Sequence, residues 1–206
     1  MITIAKYIAE FLSKKGIKLL PVFQGGAVMH LIDAVGENRK LDYFVPYHEQ
    51  ALSMQVDTMS RLNGFGAGMA TSGPGATNLL TGVCSAFYDS IPCFYFTGQV
   101  GQIHLKQNRG VRQLGFQETD VYNIFKPITK YCVQINDPKT IKYELEKGFF
   151  MAKSDRPGPV VFDIPYNIQR FKIVPAKLRG FKTPKIKQKK FKQNKKIKNL
   201  ISLVNN

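Results

Sequence analysis

The sequence predicts an α/β protein with a doubly wound, mostly parallel sheet and helices on both faces. Short apolar runs alternate with segments whose apolar residues recur at helical spacing, and glycine- or proline-containing turns separate them. Such alternation is typical of parallel sheets, because parallel neighbours need a helical crossover. A chain of 206 residues has room for one domain of this class with an appendage, and not for a second full catalytic domain.

The first half of the chain alternates helices with short strands. Thr3 is the predicted N-cap of a helix that reaches Lys15, and Gly16 is its predicted end. Apolar residues at helical spacing predict the helices, and short apolar runs predict the strands. In chain order we expect a helix over 3–15, strand 17–23, helix 28–35, strand 43–47, helix 50–62, strand 67–71 and helix 78–88.

The second half continues with an aromatic-rich strand over 92–97 and a helical piece over 120–124. An amphipathic helix is predicted over 138–153. A fully apolar strand over 159–164, bounded by prolines, closes the domain. No internal repeat is evident in the sequence.

Most of the net charge of +16 lies in the C-terminal tail. The chain up to Arg170 has 18 basic and 14 acidic residues, whereas the remainder has 12 basic residues and none that is acidic. We therefore expect a domain over 1–170, a lysine-rich linker over 171–195 and, over 196–206, either the first helix of a following domain or a frayed helix. Because few aromatic residues interrupt the lysines, nucleic-acid binding is the less favoured interpretation.

Other classes of protein are disfavoured by the sequence. No stretch approaches the ~20 apolar residues of a membrane span, and the N-terminus lacks the features of a signal peptide, which predicts a cytoplasmic protein. Cys84, Cys93 and Cys132 are odd in number, lack C-x-x-C spacing and lie among apolar residues. We expect buried, reduced thiols rather than disulfides or zinc ligands.

Two segments have the pattern of a ligand site. Glu49 follows the apolar segment Phe44-Val-Pro-Tyr47, at the strand end where open α/β sheets bind ligands. Roughly twenty residues later, one strand-helix-strand unit on, Thr71-Ser-Gly-Pro-Gly-Ala-Thr-Asn78 forms a glycine-rich turn into a helix. The turn fits neither common phosphate-binding glycine motif. Taken alone, Glu49 is better explained as a carboxylate stabilised by a helix dipole, and only its spacing from the later turn favours a ligand site.

Together these segments resemble the N-terminal pyrimidine-binding domain of thiamine diphosphate enzymes, in the acetolactate synthase large-subunit branch. The similarity covers residues 1–170 and includes five further stretches in the same order. These are 80–92, 97–100, 116–120, 126–130 and 156–165. A chain of matches of this length is far more specific than any single glycine motif.

The resemblance implies roles for particular residues. The catalytic residue is Glu49, which hydrogen-bonds the pyrimidine ring of thiamine diphosphate and favours the imino tautomer that deprotonates the thiazolium. A carboxylate suits this task, because a dry pocket raises its affinity for a proton. The implied cofactor-binding residues are Gly26, Glu49, Pro74, Asn78 and Gln117. The implied substrate-binding residues are Ala27, Phe116 and Gln117.

The family's magnesium and diphosphate are held by a Gly-Asp-Gly motif with a later asparagine, on a C-terminal domain. These 206 residues contain no Gly-Asp-Gly, so we expect no metal ligands here and expect Mg²⁺ to be bound by a missing domain. FAD would be bound, if at all, by a middle domain that is also missing from these residues.

The implied function is that of a carboligase or decarboxylase that acts on a 2-keto acid, as in branched-chain amino acid biosynthesis. Its site would be completed by a homodimer partner or a complementary subunit, and the isolated chain would be inactive. A non-catalytic interaction module or a truncated remnant is the alternative. A similar enzyme of surface-sugar biosynthesis is another alternative, since Arg109 and Arg112 fit an anionic substrate. Exposed, solubilising arginines are the favoured explanation of these two residues.

Overall fold

The structure is a computed structural model that describes residues 1–184 and 195–204, with side chains for 1–184 and 200–204. The eight strands of this part are β1 (Ile2–Thr3), β2 (Leu19–Pro21), β3 (Asp42–Phe44), β4 (Gly66–Ala70), β5 (Cys93–Gln99), β6 (Tyr131–Gln134), β7 (Val160–Pro165) and β8 (Lys172–Ile173). Its nine α-helices are α1 (Ile4–Lys14), α2 (Met29–Gly36), α3 (Glu49–Asn63), α4 (Pro74–Thr77), α5 (Leu80–Tyr88), α6 (Val121–Phe125), α7 (Ile141–Lys153), α8 (Tyr166–Gln169) and α9 (Lys195–Val204).

The central sheet is parallel throughout. Strands β4, β5, β7 and β6 lie side by side in that order, and β2 pairs with β3. A single bridge between Val22 and Met69 joins the two groups, where the Phe23 N–H donates to the Met69 carbonyl at 2.8 Å. The strands therefore run in the order β3-β2-β4-β5-β7-β6.

Hydrophobic cores cover both faces of this sheet. Phe94 and Phe96 of β5 pack in one core with residues of α1, α2 and α7. Cys93 and Tyr95 of the same strand pack in the other core with residues of α3, α5 and α6. Successive strand residues point to opposite faces, so β5 contributes to both cores. The predicted doubly wound α/β fold is confirmed.

The first helix shows how closely local signals set the boundaries. Thr3 is the N-cap of α1, and its hydroxyl accepts the Lys6 N–H at 3.2 Å. Gly16 follows the helix with φ +88°, a conformation that favours glycine.

The structure contains strands that the sequence analysis does not predict. The edge strand β6 pairs with β7, and β1 pairs antiparallel with β8 through Ile2 and Ile173. Both β1 and β8 have only two residues, which is too short for a periodic pattern. The predicted helix over 78–88 is present as α5, which begins at Leu80, and the short helix α4 precedes it within the turn at 71–78.

The chain remains in contact with the domain beyond Arg170, where the lysine-rich composition begins. Besides the pairing of β8, the Phe181 ring lies 5.5 Å from the Phe150 ring and 5.6 Å from the Tyr143 ring of α7. The Phe181 N–H donates to the Glu146 carboxylate at 2.7 Å. Residues 185–194 of the predicted linker and 205–206 of the final segment lie outside the described residues, and α9 covers most of that segment.

The three cysteines are free, with Cys93 and Cys132 buried and Cys84 partly exposed. Burial raises the pKa of both buried thiols, that of Cys132 to about 12, so neither is a reactive thiolate near neutral pH. In residues 1–184 and 195–204, no helix has the length and apolarity needed to cross a membrane.

Candidate active site at the carboxyl edge of the sheet

Glu49 is the first residue of α3, five positions after the carboxyl end of β3 at Phe44. The preceding His48 is extended, with φ −159° and ψ 146°, and its Nδ1 accepts the Gln50 N–H at 3.1 Å. This cap fixes the point at which the helix begins. Glu49 is only 7% exposed, although a carboxylate at a helix N-terminus is normally solvated.

One oxygen of Glu49 is held and the other has no hydrogen-bond partner among the described residues. Asn78 Nδ2 donates to Glu49 Oε2 at 3.0 Å, which joins two predicted site residues that lie 29 positions apart. A Cβ atom at Gly75 would lie 3.4 Å from Glu49 Oε1. A side chain at position 75 would therefore contact this oxygen, and glycine places none there.

The turn at 71–78 has a backbone that requires glycine. Gly73 has φ +60° and ψ −123°, and Pro74 begins α4 at an exposed position. At Gly75, a Cβ atom would lie 2.7 Å from Thr71 Cγ2. The turn thus brings Asn78 back to Glu49 while Pro74 faces outward.

The loop between β2 and α2 lies against the neighbouring strands. The backbone of Ala27 packs directly on Gly98 of β5, where any side chain would clash. Gln169 Nε2 donates to the Ala27 carbonyl at 2.7 Å and to the Ile164 carbonyl at 2.8 Å. Gln169, which is distant in sequence, therefore holds the loop that contains Gly26 and Ala27.

A cavity of about 510 Å³ lies at this edge of the sheet. It brings together four predicted site residues, Gly26, Ala27, Phe116 and Gln117. Phe116 is 86% exposed, whereas Gln117 is half-buried. The cavity also has other lining residues, which are Met29, Ser72, Val100, Gly101, His104, Leu114, Gly115 and Tyr166.

Glu49, Pro74 and Asn78 do not line this cavity. Ser72 lies on its wall, and the adjacent Gly73 contacts Gln117, where a Cβ atom on the glycine would lie 2.8 Å from Gln117 Cβ. The predicted residues therefore form two neighbouring groups along one edge, connected by the turn at 71–78.

Sequence reasoning missed Tyr166, His104 and Met29 as lining residues. Tyr166 had a signal, because it directly follows β7 and the carboxyl ends of parallel strands share one edge. Its ring approaches Gly101, where a Cβ atom would lie 2.7 Å from Tyr166 Cε1. His104 and Met29 depend on loop conformations that no local pattern specifies.

A buried polar network lies below the site. Asp163 of β7 accepts hydrogen bonds from Thr97 Oγ1 at 2.7 Å, Gln134 Nε2 at 2.8 Å and Gln99 Nε2 at 3.0 Å. Burial raises the pKa of Asp163 to about 6, against the opposing effect of these three donors. Its position within the sheet indicates a structural role.

The arginines considered for an anionic substrate are both exposed. Neither Arg109 nor Arg112 takes part in an ion pair within residues 1–184 and 195–204. Among the side chains described there, no group of three or more His, Cys, Asp or Glu residues is arranged to hold a metal ion.

Comparison with known proteins identifies a family for this chain. The family model "Thiamine pyrophosphate enzyme, N-terminal TPP binding domain" matches residues 2–124. The acetolactate synthase isozyme 3 large subunit of Escherichia coli is 36% identical over 169 residues, which are 82% of this chain and 28% of that protein. The acetolactate synthase large subunit of Lactococcus lactis is 32% identical over 170 residues, with the same shares.

The probable acetolactate synthase large subunit of Methanocaldococcus jannaschii is 36% identical over 187 residues, which are 86% of this chain and 30% of that protein. The chain therefore spans less than a third of the length of these relatives. The resemblance drawn from the sequence motifs is confirmed, and the chain belongs to the family of thiamine pyrophosphate enzyme N-terminal domains.

Proposed function

We propose that this chain supplies the pyrimidine-binding half of a thiamine diphosphate site in a carboligase or decarboxylase of the acetolactate synthase type. The observation that supports this most directly is the carboxylate of Glu49. It is buried at the carboxyl edge of the sheet, where Asn78 donates to its Oε2 and its Oε1 has no hydrogen-bond partner among the described residues. Such a carboxylate can share a proton with a nitrogen of an aromatic ring.

The residues present fit an aminopyrimidine. Gly75 places no side chain beside Glu49 Oε1, and the hydrogen bond from Asn78 fixes the carboxylate so that this oxygen keeps one orientation. When bound, thiamine diphosphate would supply the electron sink that permits decarboxylation of a 2-keto acid. Glu49 would hold the proton shared with the ring, and Gln117 and Phe116 would line the approach of the substrate.

A further domain or subunit belongs to this proposal. No Gly-Asp-Gly motif occurs in the sequence, so the diphosphate and Mg²⁺ would be held elsewhere, as would any FAD. Support for pairing comes from the outer faces of α3 and α5, which carry large exposed apolar side chains. These residues, with the fully exposed Tyr47 beside them, are Met54, Leu62, Leu80 and Tyr88. We propose a homodimer or a complementary subunit as the partner, in the cytoplasm.

Calorimetric titration of thiamine diphosphate and Mg²⁺ tests the proposal. The titration is made into the chain alone and into its mixture with a diphosphate-domain partner, for the unmodified chain and Glu49→Gln. Glu37→Gln is the matched control, since Glu37 is a half-exposed carboxylate that pairs with Lys6 at 2.6 Å.

We expect binding in the mixture, and loss of 2-keto acid turnover in Glu49→Gln with both variants folded. Equal turnover in Glu49→Gln and Glu37→Gln would contradict the assigned role of Glu49. Association with the partner without any cofactor binding would instead favour the non-catalytic interaction module.

A further inference from the structure

The connection between β5 and α6, residues 100–120, is long and contains only one short 3₁₀-helix, Gln102–His104. It carries Phe116 and Gln117, which line the cavity. Connections of this length without regular structure need specific side-chain interactions to keep one conformation. The side chain that supplies them here is Glu118.

The carboxylate of Glu118 joins two distant points of this loop. Its Oε1 accepts the Lys106 N–H at 2.6 Å, and its Oε2 accepts the Leu114 N–H at 2.9 Å. The Glu118 carbonyl accepts from Gln113 Nε2 at 3.1 Å. Hydrogen bonds to a charged acceptor are shorter and stronger than neutral ones, and this carboxylate makes two of them to backbone groups.

Gln117 has a backbone conformation that needs such support. The Glu118 N–H donates to the Gly115 carbonyl at 3.0 Å and closes a four-residue turn, in which Gln117 at the third position has φ +59°. Glycine is the usual residue there, and a non-glycine residue in this conformation is strained. The strained residue also contacts Gly73, so the turn places Gln117 against the segment that leads to Asn78.

The base of the loop is anchored as well. Gln99 Nε2 donates to the Thr119 carbonyl at 2.8 Å, and Gln99 Oε1 accepts the Val100 N–H at 3.0 Å. One side chain therefore holds together the two ends of the connection. Glu118 lies in the chain between Thr119, which Gln99 holds, and the residues that line the cavity. The stretch 106–117 therefore depends on the Glu118 carboxylate.

We infer that Glu118 is a positioning residue, whose carboxylate folds the 106–118 loop and thereby fixes Gln117 and Phe116 at the cofactor site. This inference rests on the proposed function, which identifies the ligand beside Gln117 as thiamine diphosphate. The folding of the loop itself does not depend on that ligand, so it can be tested separately.

Limited trypsin digestion of the complete chain tests the loop, because Arg109 and Arg112 are exposed cleavage sites within it. Glu118→Gln keeps the size of the side chain and replaces one of its two acceptor oxygens by an amide donor. We expect cleavage at these arginines to become roughly tenfold faster, because the loop opens more often, while the urea midpoint stays near that of the unmodified chain. Glu37→Gln, which removes a carboxylate elsewhere, should leave the cleavage rate unchanged.

A double variant separates support of the turn from general destabilisation. Gln117→Gly removes the strain at the left-handed position, so adding it to Glu118→Gln should restore much of the resistance to trypsin. It should not restore affinity for thiamine diphosphate in the complex with a diphosphate-domain partner, because the Gln117 side chain is gone. Glu118→Gln alone should bind the cofactor several-fold more weakly than the Glu37→Gln control.

Cleavage of Glu118→Gln at the rate of the unmodified chain would overturn the inference, because the loop would then be held by other contacts. Faster cleavage with unaltered cofactor affinity would overturn the positioning role at the site. Absence of cofactor binding by the unmodified chain in the complex would instead contradict the proposed function. The digestion would still report on the loop in that case.

Discussion

Replacement of Asp163 by asparagine should change how the stability of this domain depends on pH. Asp163 of β7 is fully buried between side chains of β5 and β6, and burial raises the pKa of its carboxyl from 3.8 to about 6. Since the pKa is higher in the folded state, folding takes up a proton between these values. The stabilisation is fully present below about pH 4 and is lost as the pH rises past about 6.

The expected size of the effect follows from the shift in pKa. Each unit corresponds to about 1.36 kcal/mol, so the free energy of unfolding should contain a contribution of roughly 3 kcal/mol that disappears between pH 4 and pH 7. The side chain introduced by Asp163→Asn cannot titrate, and it also places an amide donor near the side-chain amides of Gln99 and Gln134. The variant is therefore compared by its pH dependence rather than by its stability at one pH.

Urea unfolding between pH 4 and pH 8 measures this difference. The contributions of other titrating groups cancel when the unmodified chain is compared with Asp163→Asn. The free energy of unfolding of the unmodified chain, relative to that of the variant, should fall by roughly 3 kcal/mol as the pH rises from 4 to 7. Asp33→Asn, at an exposed position on α2, is the control for loss of an aspartate. A difference between the unmodified chain and Asp163→Asn that stays constant across this range would refute the reasoning.

Three further substitutions test the packing and the site. Gly82→Ala should lower the free energy of unfolding in urea by about 1–3 kcal/mol, because α5 packs closely on α3 and a Cβ atom would lie 2.7 Å from the Ser53 carbonyl carbon. An unchanged urea midpoint would show that the two helices can move apart without cost. Phe181→Ala should lower it by about 1–2 kcal/mol and speed hydrogen exchange in β8, and no change would show that the tail contacts are not stabilising. Asn78→Ala removes the donor to Glu49 and should lower the free energy of unfolding, measured by thermal unfolding, by about 1–3 kcal/mol. Asn78→Asp should be more destabilising, because it places a second carboxyl group beside Glu49, and the reverse order would contradict the stabilising role of the Asn78 hydrogen bond.

The fold class could be predicted because its signals are local. Apolar runs and helical spacing repeat along the chain, and the boundaries of α1 depend on the nearby residues Thr3 and Gly16. Strand β6 could not be predicted in this way, since it is a four-residue edge strand with only one buried residue, Cys132. Its place depends on pairing with β7, which lies far along the chain.

For the candidate site, sequence motifs could indicate residues that lie near one another in the structure, but not the contacts that hold them in place. Glu49 and the turn at 71–78 carry local signals, and the structure joins them through Asn78. The hydrogen bonds of Gln169 to Ala27 connect residues 142 positions apart, so only the folded chain shows them. The same holds for the contacts of Phe181, because a lysine-rich segment gives no local sign of where its few aromatic residues pack.

The order of strands in the sheet has a consequence for synthesis of the protein. Strand β7 inserts between β5 and β6, and β6 pairs with no other strand among the described residues. While the ribosome has released only the residues before β7, one side of β5 has no neighbour, although all seven of its residues are buried in the finished domain. Such an apolar edge is prone to pair with other chains, so the nascent protein depends on rapid arrival of β7.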